Sequence, residues 1–325
     1  MIVITGAAGF IGSNIVAALN EQGRDDLIVC DWLRQDLRWL NLRKRTFRDF
    51  VPPDQLLAQL DRTRPEAILH LGANSSTTTT DGDALMRVNF KYTLDLIDYC
   101  AREGVKLIYA SSAATYGDGE NGFDDDGSLA ALKKLRPLNL YGWTKHLIDK
   151  IVAERREKRL PLPPKCIGVK YFNVYGQNEY HKGDMVSVVG KNYPRAAAGE
   201  TVDLFKSHRE GCGDGEQSRD FVYVDDAVAA TLWLVDNGPA HGVFNVGTGA
   251  AASFRALVEA LFSAIGRKAN IRYVPMPETL RDRYQYFSCA SLGNLRAAGY
   301  HHAFAPVQEG VARYVGYLQS ADRYR

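Results

Sequence analysis

Tyr141-Gly-Trp-Thr-Lys145 sets a phenol and an ammonium four residues apart. On a helix, positions i and i+4 share one face, so the two groups would stand side by side. A phenol is a poor base near neutral pH, because its ordinary pKa is about 10. A neighbouring ammonium favours the phenolate, and the expectation is a lowered pKa. Tyr141 would then exchange a proton with an alcohol. Taken alone, the pair is common on ordinary helices that carry a half-buried tyrosine and a solvated lysine. Its surroundings decide. Upstream, a strand ends in Ala110-Ser-Ser-Ala-Ala-Thr-Tyr-Gly117. At such a carboxyl end, Ser112 can hydrogen-bond and orient the reacting oxygen.

An electron acceptor for this chemistry is written at the N-terminus. Met1-Ile-Val-Ile-Thr-Gly-Ala-Ala-Gly-Phe-Ile-Gly12 is a short apolar run that breaks into Gly6, Gly9 and Gly12. It reads as a strand, a glycine turn and the start of a helix. Gly6 allows the tight turn, Gly9 lets the backbone approach a pyrophosphate, and Gly12 lets helix and strand pack closely. The helix N-terminus adds free N–H groups and a partial positive charge. A second apolar run, Leu27-Ile-Val-Cys-Asp31, ends in an acid. Asp31 lies roughly 20 residues on, where dinucleotide-binding folds hold a ribose. The positive nicotinamide of an oxidised cofactor would further favour the Tyr141 phenolate, and Lys145 would hydrogen-bond the cofactor ribose.

These groups need a frame. Strands are expected at 1–5, 27–31, 67–71, 107–111 and 166–171. Helices are expected near 9–22, 84–102 and 140–155. The alternation implies an α/β, Rossmann-type doubly wound parallel sheet, which binds ligands beyond the carboxyl ends of its strands. The second half reads as a smaller, interleaved α/β substrate-binding domain. It has strand-like segments at 221–224, 243–246 and 271–274, and helices near 253–265 and 306–318. The expected division is residues 1–176 for the dinucleotide, with about 219–249 returning to it, and 177–325 mainly for substrate.

With 325 residues, 46% hydrophobic and 24% charged, the composition is that of an ordinary globular protein, not a disordered one. A net charge of +2 gives no footprint for nucleic acid, so no such partner is expected. No apolar run approaches the roughly 18 residues of a membrane span, and the opening residues lack the marks of a signal peptide, so neither is expected. Cys30, Cys100, Cys166, Cys212 and Cys289 are scattered, with no metal-type pairing. Reduced cytoplasmic thiols and no metal site are expected.

The glycine turn, Ser112 and the Tyr141/Lys145 pair together resemble the extended short-chain dehydrogenase/reductases. Further segments resemble, within them, the epimerases that act on an ADP-bound heptose. These include His70-Leu-Gly-Ala-Asn-Ser-Ser-Thr-Thr78, Tyr171-Phe-Asn-Val-Tyr-Gly176, His181-Lys-Gly183, Arg219-Asp-Phe-Val-Tyr-Val224 and Arg283-Tyr-Gln285. The resemblance implies oxidation at C6 of the heptose, a ketone that turns over in the site, and return of the same hydride to its other face. The step would serve lipopolysaccharide core synthesis. Tyr141 and Lys182 would handle the proton on opposite faces.

By the same resemblance, Phe10, Ile11, Trp32, Arg38, Leu71, Gly72, Ala73, Ser75, Asn89, Val174 and Lys182 would lie along the cofactor. Ser112, Asn173, Asp184, Lys191, Phe205, Arg219 and Tyr284 would meet the substrate, with Arg219 on the diphosphate. The cofactor implied is NADP, with NAD also usable, and the assembly a homo-oligomer, a pentamer. Several positions depart from the family. Pro53 and Arg38 stand where lysines are expected near the 2′-phosphate, Trp32 where an asparagine is frequent, and Asp184 where a serine is common. The loop 207–218 is longer. Two alternatives stay open: another nucleotide-sugar epimerase or dehydratase, and a non-enzymatic dinucleotide sensor. Ala113-Ala114-Thr115 lacks the acidic pair a dehydratase needs for its leaving group.

Overall fold

The computed structural model describes residues 1–281 and 284–325. Short apolar runs bounded by glycine or charge become strands. The first six are β1 (Ile2–Thr5), β2 (Leu27–Cys30), β3 (Asp49–Val51), β4 (Ala67–His70), β5 (Lys106–Ser112) and β6 (Cys166–Tyr171). Then follow β7 (Asn173–Tyr175), β8 (Val202–Phe205), β9 (Ser218–Arg219), β10 (Phe221–Tyr223), β11 (His241–Val246), β12 (Ala252–Ser253) and β13 (Ile271–Val274). Seven of them form one sheet in the order β11-β6-β5-β4-β1-β2-β3, with every neighbouring pair parallel. Every residue of β1, β2, β4 and β6 is buried, as strands covered on both faces require. Alternate side chains feed two cores. Ile2 and Ile4 join the larger cluster, while Val3 points into the opposite one with Ile28, Ile68 and Leu107.

The chain runs outward from β1 through β2 to β3, then restarts with β4 on the other side of β1. That reversal opens a crevice at the carboxyl ends of β1 and β4, where such sheets hold ligands. β11 closes the far edge on β6, from Cys166 beside His241 to Tyr171 beside Val246. The rest of the second half builds short pairs, β7 with β10, β8 with β13 and β9 with β12, against the helices Val188–Ala198, Phe254–Ala264 and Val307–Gln319.

The structure adds elements that periodicity did not suggest. β3 and the helix Pro53–Leu60 follow β2. The segment read as a strand at 221–224 is a strand only to Tyr223 and turns at Val224 into the helix Val224–Asn237, whose buried positions share one broad face. The single helix expected over 84–102 is interrupted by a π-helical turn, Met86–Lys91. Asn89 within it is fully buried and bonded to Asn74 and Thr144, and a widened turn of this kind often marks a functional site. No described helix is long and apolar enough to cross a membrane.

Candidate active site

The turn after β1 is built backbone on backbone. Gly6 has φ +68°, and a Cβ there would lie 2.6 Å from the Gly72 nitrogen. A Cβ on Gly12 would lie 2.1 Å from the Gly6 carbonyl oxygen. Gly9 opens the helix Phe10–Glu21 with no side-chain cap, and no acid sits in its first turn. Those N–H groups are left for an anion. Gly72, Leu71 and Ala73 line the other side, half-buried after β4, with Ser75 exposed beyond them. The Gly72 N–H donates to Thr5 Oγ1 at 3.1 Å. A cradle too tight for side chains, beside an uncapped helix, fits a dinucleotide pyrophosphate. Asn89 spends its amide on Asn74 and Thr144 and shapes the β4 loop. Asn41, which sequence reasoning passed over, ties the turn to the 178 loop by donating to the Ala8 and Asn178 carbonyls at 2.9 and 3.1 Å.

Asp31 stands just past β2. Its carboxylate accepts the Ala8 N–H at 2.9 Å and the Trp32 N–H at 2.7 Å. Burial raises its pKa, against the pull of those N–H groups and of Arg38. Arg38 Nη1 lies 4.0 Å from Asp31, but its guanidinium grips Asp36 with contacts of 2.7 to 3.1 Å. Trp32 is exposed beside them.

Asn139 caps the helix Leu140–Glu157, accepting the Gly142 N–H at 2.8 Å. Gly142 packs so closely on the turn after β5 that a Cβ would sit 2.6 Å from the Ala114 oxygen. This contact brings Tyr141 to Ser112, whose hydroxyl also accepts the Ala114 N–H at 3.1 Å. Burial raises the Tyr141 phenol above its ordinary value, and the Ser112 hydroxyl draws it part of the way back. The lowering expected from the ammonium is therefore corrected: in the protein alone burial raises the phenol, and the opposing pull comes from Ser112, not Lys145.

Lys145 is 3% exposed, and burial lowers it from 10.5 to about 8, with Asp149 pulling the other way. Asp149, one turn further on, pairs with buried Lys170 at 3.2 Å and accepts Ser111 at 2.7 Å and Tyr109 at 3.1 Å. The sequence signal for this support was a lysine inside the otherwise apolar β6.

Lys182 lies with its Nζ 3.4 Å from Glu179 and 4.8 Å from the centre of the Phe10 ring, so it reaches the start of the helix after the glycine turn. Glu179 is fully buried and also accepts the Ser187 N–H at 2.9 Å. Ile11 is half-buried beside Phe10, and Val174 half-buried on β7.

Three of the substrate candidates meet. The Arg219 guanidinium lies 5.4 Å from the Tyr284 ring centre, and Phe205 meets Tyr284 edge-on at 6.3 Å. Phe254 flanks the other side at 5.6 Å. Arg219 is 7% exposed, and burial lowers its pKa. Its guanidinium donates to the Ser218 carbonyl, and no carboxylate faces it among the described residues. A buried, uncompensated cation is costly, so the arrangement favours an anionic ligand. Asp220 fastens the strand by accepting from Thr248, Gly249 and Ala290 at 2.6 to 3.0 Å. Asn173, Asp184 and Lys191 are exposed and do not join this cluster. Arg283 lies outside the described residues.

The family model that matches describes the NAD dependent epimerase/dehydratase family and covers residues 2–247. The chain is 44% identical over 335 aligned positions to ADP-L-glycero-D-manno-heptose-6-epimerase of Fusobacterium nucleatum, covering all of both chains. Among solved structures it resembles the Helicobacter pylori protein of that name, with TM-score 0.81 and 27% identity over 98% of this chain and 96% of that one. It also resembles the Thermus thermophilus UDP-glucose 4-epimerase complex with NAD, with TM-score 0.77 and 26% identity over 98% and 99% of the two chains.

Proposed function

The chain belongs to the NAD dependent epimerase/dehydratase family, and from that premise we propose that it inverts C6 of the heptose in ADP-D-glycero-D-manno-heptose, giving the L-glycero-D-manno epimer for lipopolysaccharide core synthesis. The observation that carries the reading is the Tyr141–Ser112 approach with Lys145 on the same helix, at the carboxyl end of β5 beside the glycine cradle. Full-length identity to a relative bearing that name selects the sugar.

Carbon 6 of the heptose has no adjacent carbonyl to acidify its C–H bond, so deprotonation there would leave an unstabilised carbanion. The nicotinamide, when bound, supplies an acceptor and donor for that hydrogen as hydride. Tyr141, acting as the phenolate that the oxidised cofactor's positive charge would favour, takes the proton of the C6 hydroxyl, and Ser112 orients the hydroxyl oxygen. Lys182 serves the opposite face, because one fixed base reaches only one side of a carbon. Arg219 binds the diphosphate between its two aromatic neighbours. Gly6, Gly9, Gly12 and Asp31 hold the dinucleotide. We read the cofactor as NADP with NAD also accepted: Arg38 lies where a 2′-phosphate would sit, Asp31 suits free ribose hydroxyls, and the carboxylate already on Arg38 narrows the margin between the two.

The test is incubation with ADP-heptose and a panel of UDP-hexoses in deuterated water, followed by NMR and mass spectrometry. Epimerised ADP-heptose that keeps its C6 hydrogen is expected. Stoichiometric solvent deuterium at C6 would defeat the hydride reading, and turnover confined to UDP-hexoses would defeat the choice of sugar.

A further inference from the structure

Arg38 carries its own carboxylate. Its Nε donates to both Asp36 oxygens, at 2.8 and 3.1 Å, and its Nη2 donates to Oδ2 at 2.7 Å. The pair is held in place. Asp36 Oδ1 also accepts the Arg38 backbone N–H at 3.0 Å, which caps the short helix Leu37–Asn41. That helix is bolted to the glycine turn through Asn41 and the Ala8 carbonyl. Asp31 adds a second negative charge, 4.0 Å from Nη1.

A guanidinium reads a phosphate best through two parallel N–H donors. Here Nε and Nη2, which form such a fork, already face a carboxylate. A 2′-phosphate must either displace Asp36, which strips the cap, or bind at the remaining edge with two carboxylates nearby. Free ribose hydroxyls meet neither obstacle. We propose that Asp36 sets the cofactor preference of this chain: by occupying Arg38 it weakens a dinucleotide bearing a 2′-phosphate and leaves one with free ribose hydroxyls nearly untouched. The inference rests on the reading that this crevice holds a nicotinamide dinucleotide with Arg38 toward the adenosine ribose.

Asp36→Asn keeps an oxygen for the cap and removes the charge. Dissociation constants of NADPH and NADH would be measured by isothermal titration of the full chain, in wild type, Asp36→Asn, Arg38→Ala and the double variant. Asp36→Ser, which keeps a capping hydroxyl, serves as a second uncharged probe. Freeing a charge-assisted donor pair should tighten NADPH by about tenfold, with NADH within about twofold. The gain should vanish in the double variant. An unchanged NADPH-to-NADH ratio in both uncharged variants, or a gain that survives loss of Arg38, would overturn the proposal. If Arg38→Ala alone leaves NADPH binding intact, the placement of Arg38 fails and the proposal falls with it. If neither dinucleotide binds wild type, the cofactor reading itself has failed.

Discussion

Lys145 should make the protein less stable than it would be with an apolar side chain in its place. Its ammonium is buried, and that burial lowers its pKa from 10.5 to about 8. In the unfolded chain the group titrates near its ordinary value, so between about pH 8 and 10.5 the unfolded state binds more protons. Below that window both states are charged and the full penalty applies. A drop of roughly 2.5 pH units, at about 1.36 kcal/mol each, amounts to about 3 kcal/mol. Lys145→Met keeps the unbranched stem and removes the charge. It orphans no carboxylate, because Asp149 retains Lys170, Ser111 and Tyr109. Urea unfolding of the dinucleotide-free protein should show the variant more stable by about 3 kcal/mol at pH 7, the gap shrinking as pH rises from about 8 to 10.5. Turnover should fall by roughly 10²-fold or more, as for loss of a group that assists proton transfer. A variant less stable than wild type, or a gap flat across that pH range, would refute the assignment of a desolvated ammonium.

Gly12→Ala would set a methyl 2.1 Å from the Gly6 carbonyl, so the cradle must open by about an ångström. Dinucleotide binding should be lost and the melting temperature lowered, and titration within about twofold of wild type would contradict this. Arg219→Met removes a buried cation and leaves no charged partner stranded among the described residues, so stability should hold or rise while KM for the nucleotide sugar rises by roughly 10- to 100-fold. Unchanged KM, or an equal loss of cofactor affinity, would move Arg219 out of the substrate region.

Much of the frame could be read from the chain because its signals are local. A glycine triplet after an apolar run, an acid after the next one, and a Tyr/Lys pair one turn apart each define their own geometry. A parallel sheet followed from alternation with five of its strands in place, whereas β3 was not read and β11 was read only as a strand-like segment of the second half. What stayed hidden is non-local. The helix Val224–Asn237 follows directly on the strand Phe221–Tyr223, with no turn residue between them to mark the change. Asn41 matters only because it reaches across to Ala8 and Asn178. The Tyr141 pKa follows the balance of burial against neighbours, which spacing alone does not reveal. Phe205, Arg219 and Tyr284 are far apart in sequence, and only the fold draws them into one cluster.

The edge of the large sheet has a consequence for how the chain is made. β6 ends at Tyr171, but its outer partner β11 is not complete until Val246. At about 5–20 residues per second, a ribosome needs roughly 4 to 15 seconds to supply that interval. Throughout it, the wholly buried strand Cys-Ile-Gly-Val-Lys-Tyr presents an open row of N–H and C=O groups and apolar side chains. The nascent protein therefore passes through a stage in which its large sheet is nearly assembled yet adhesive along one margin. A pause in translation between residues 171 and 246 would lengthen that stage and raise the yield of aggregates, while the mature protein's stability stayed the same.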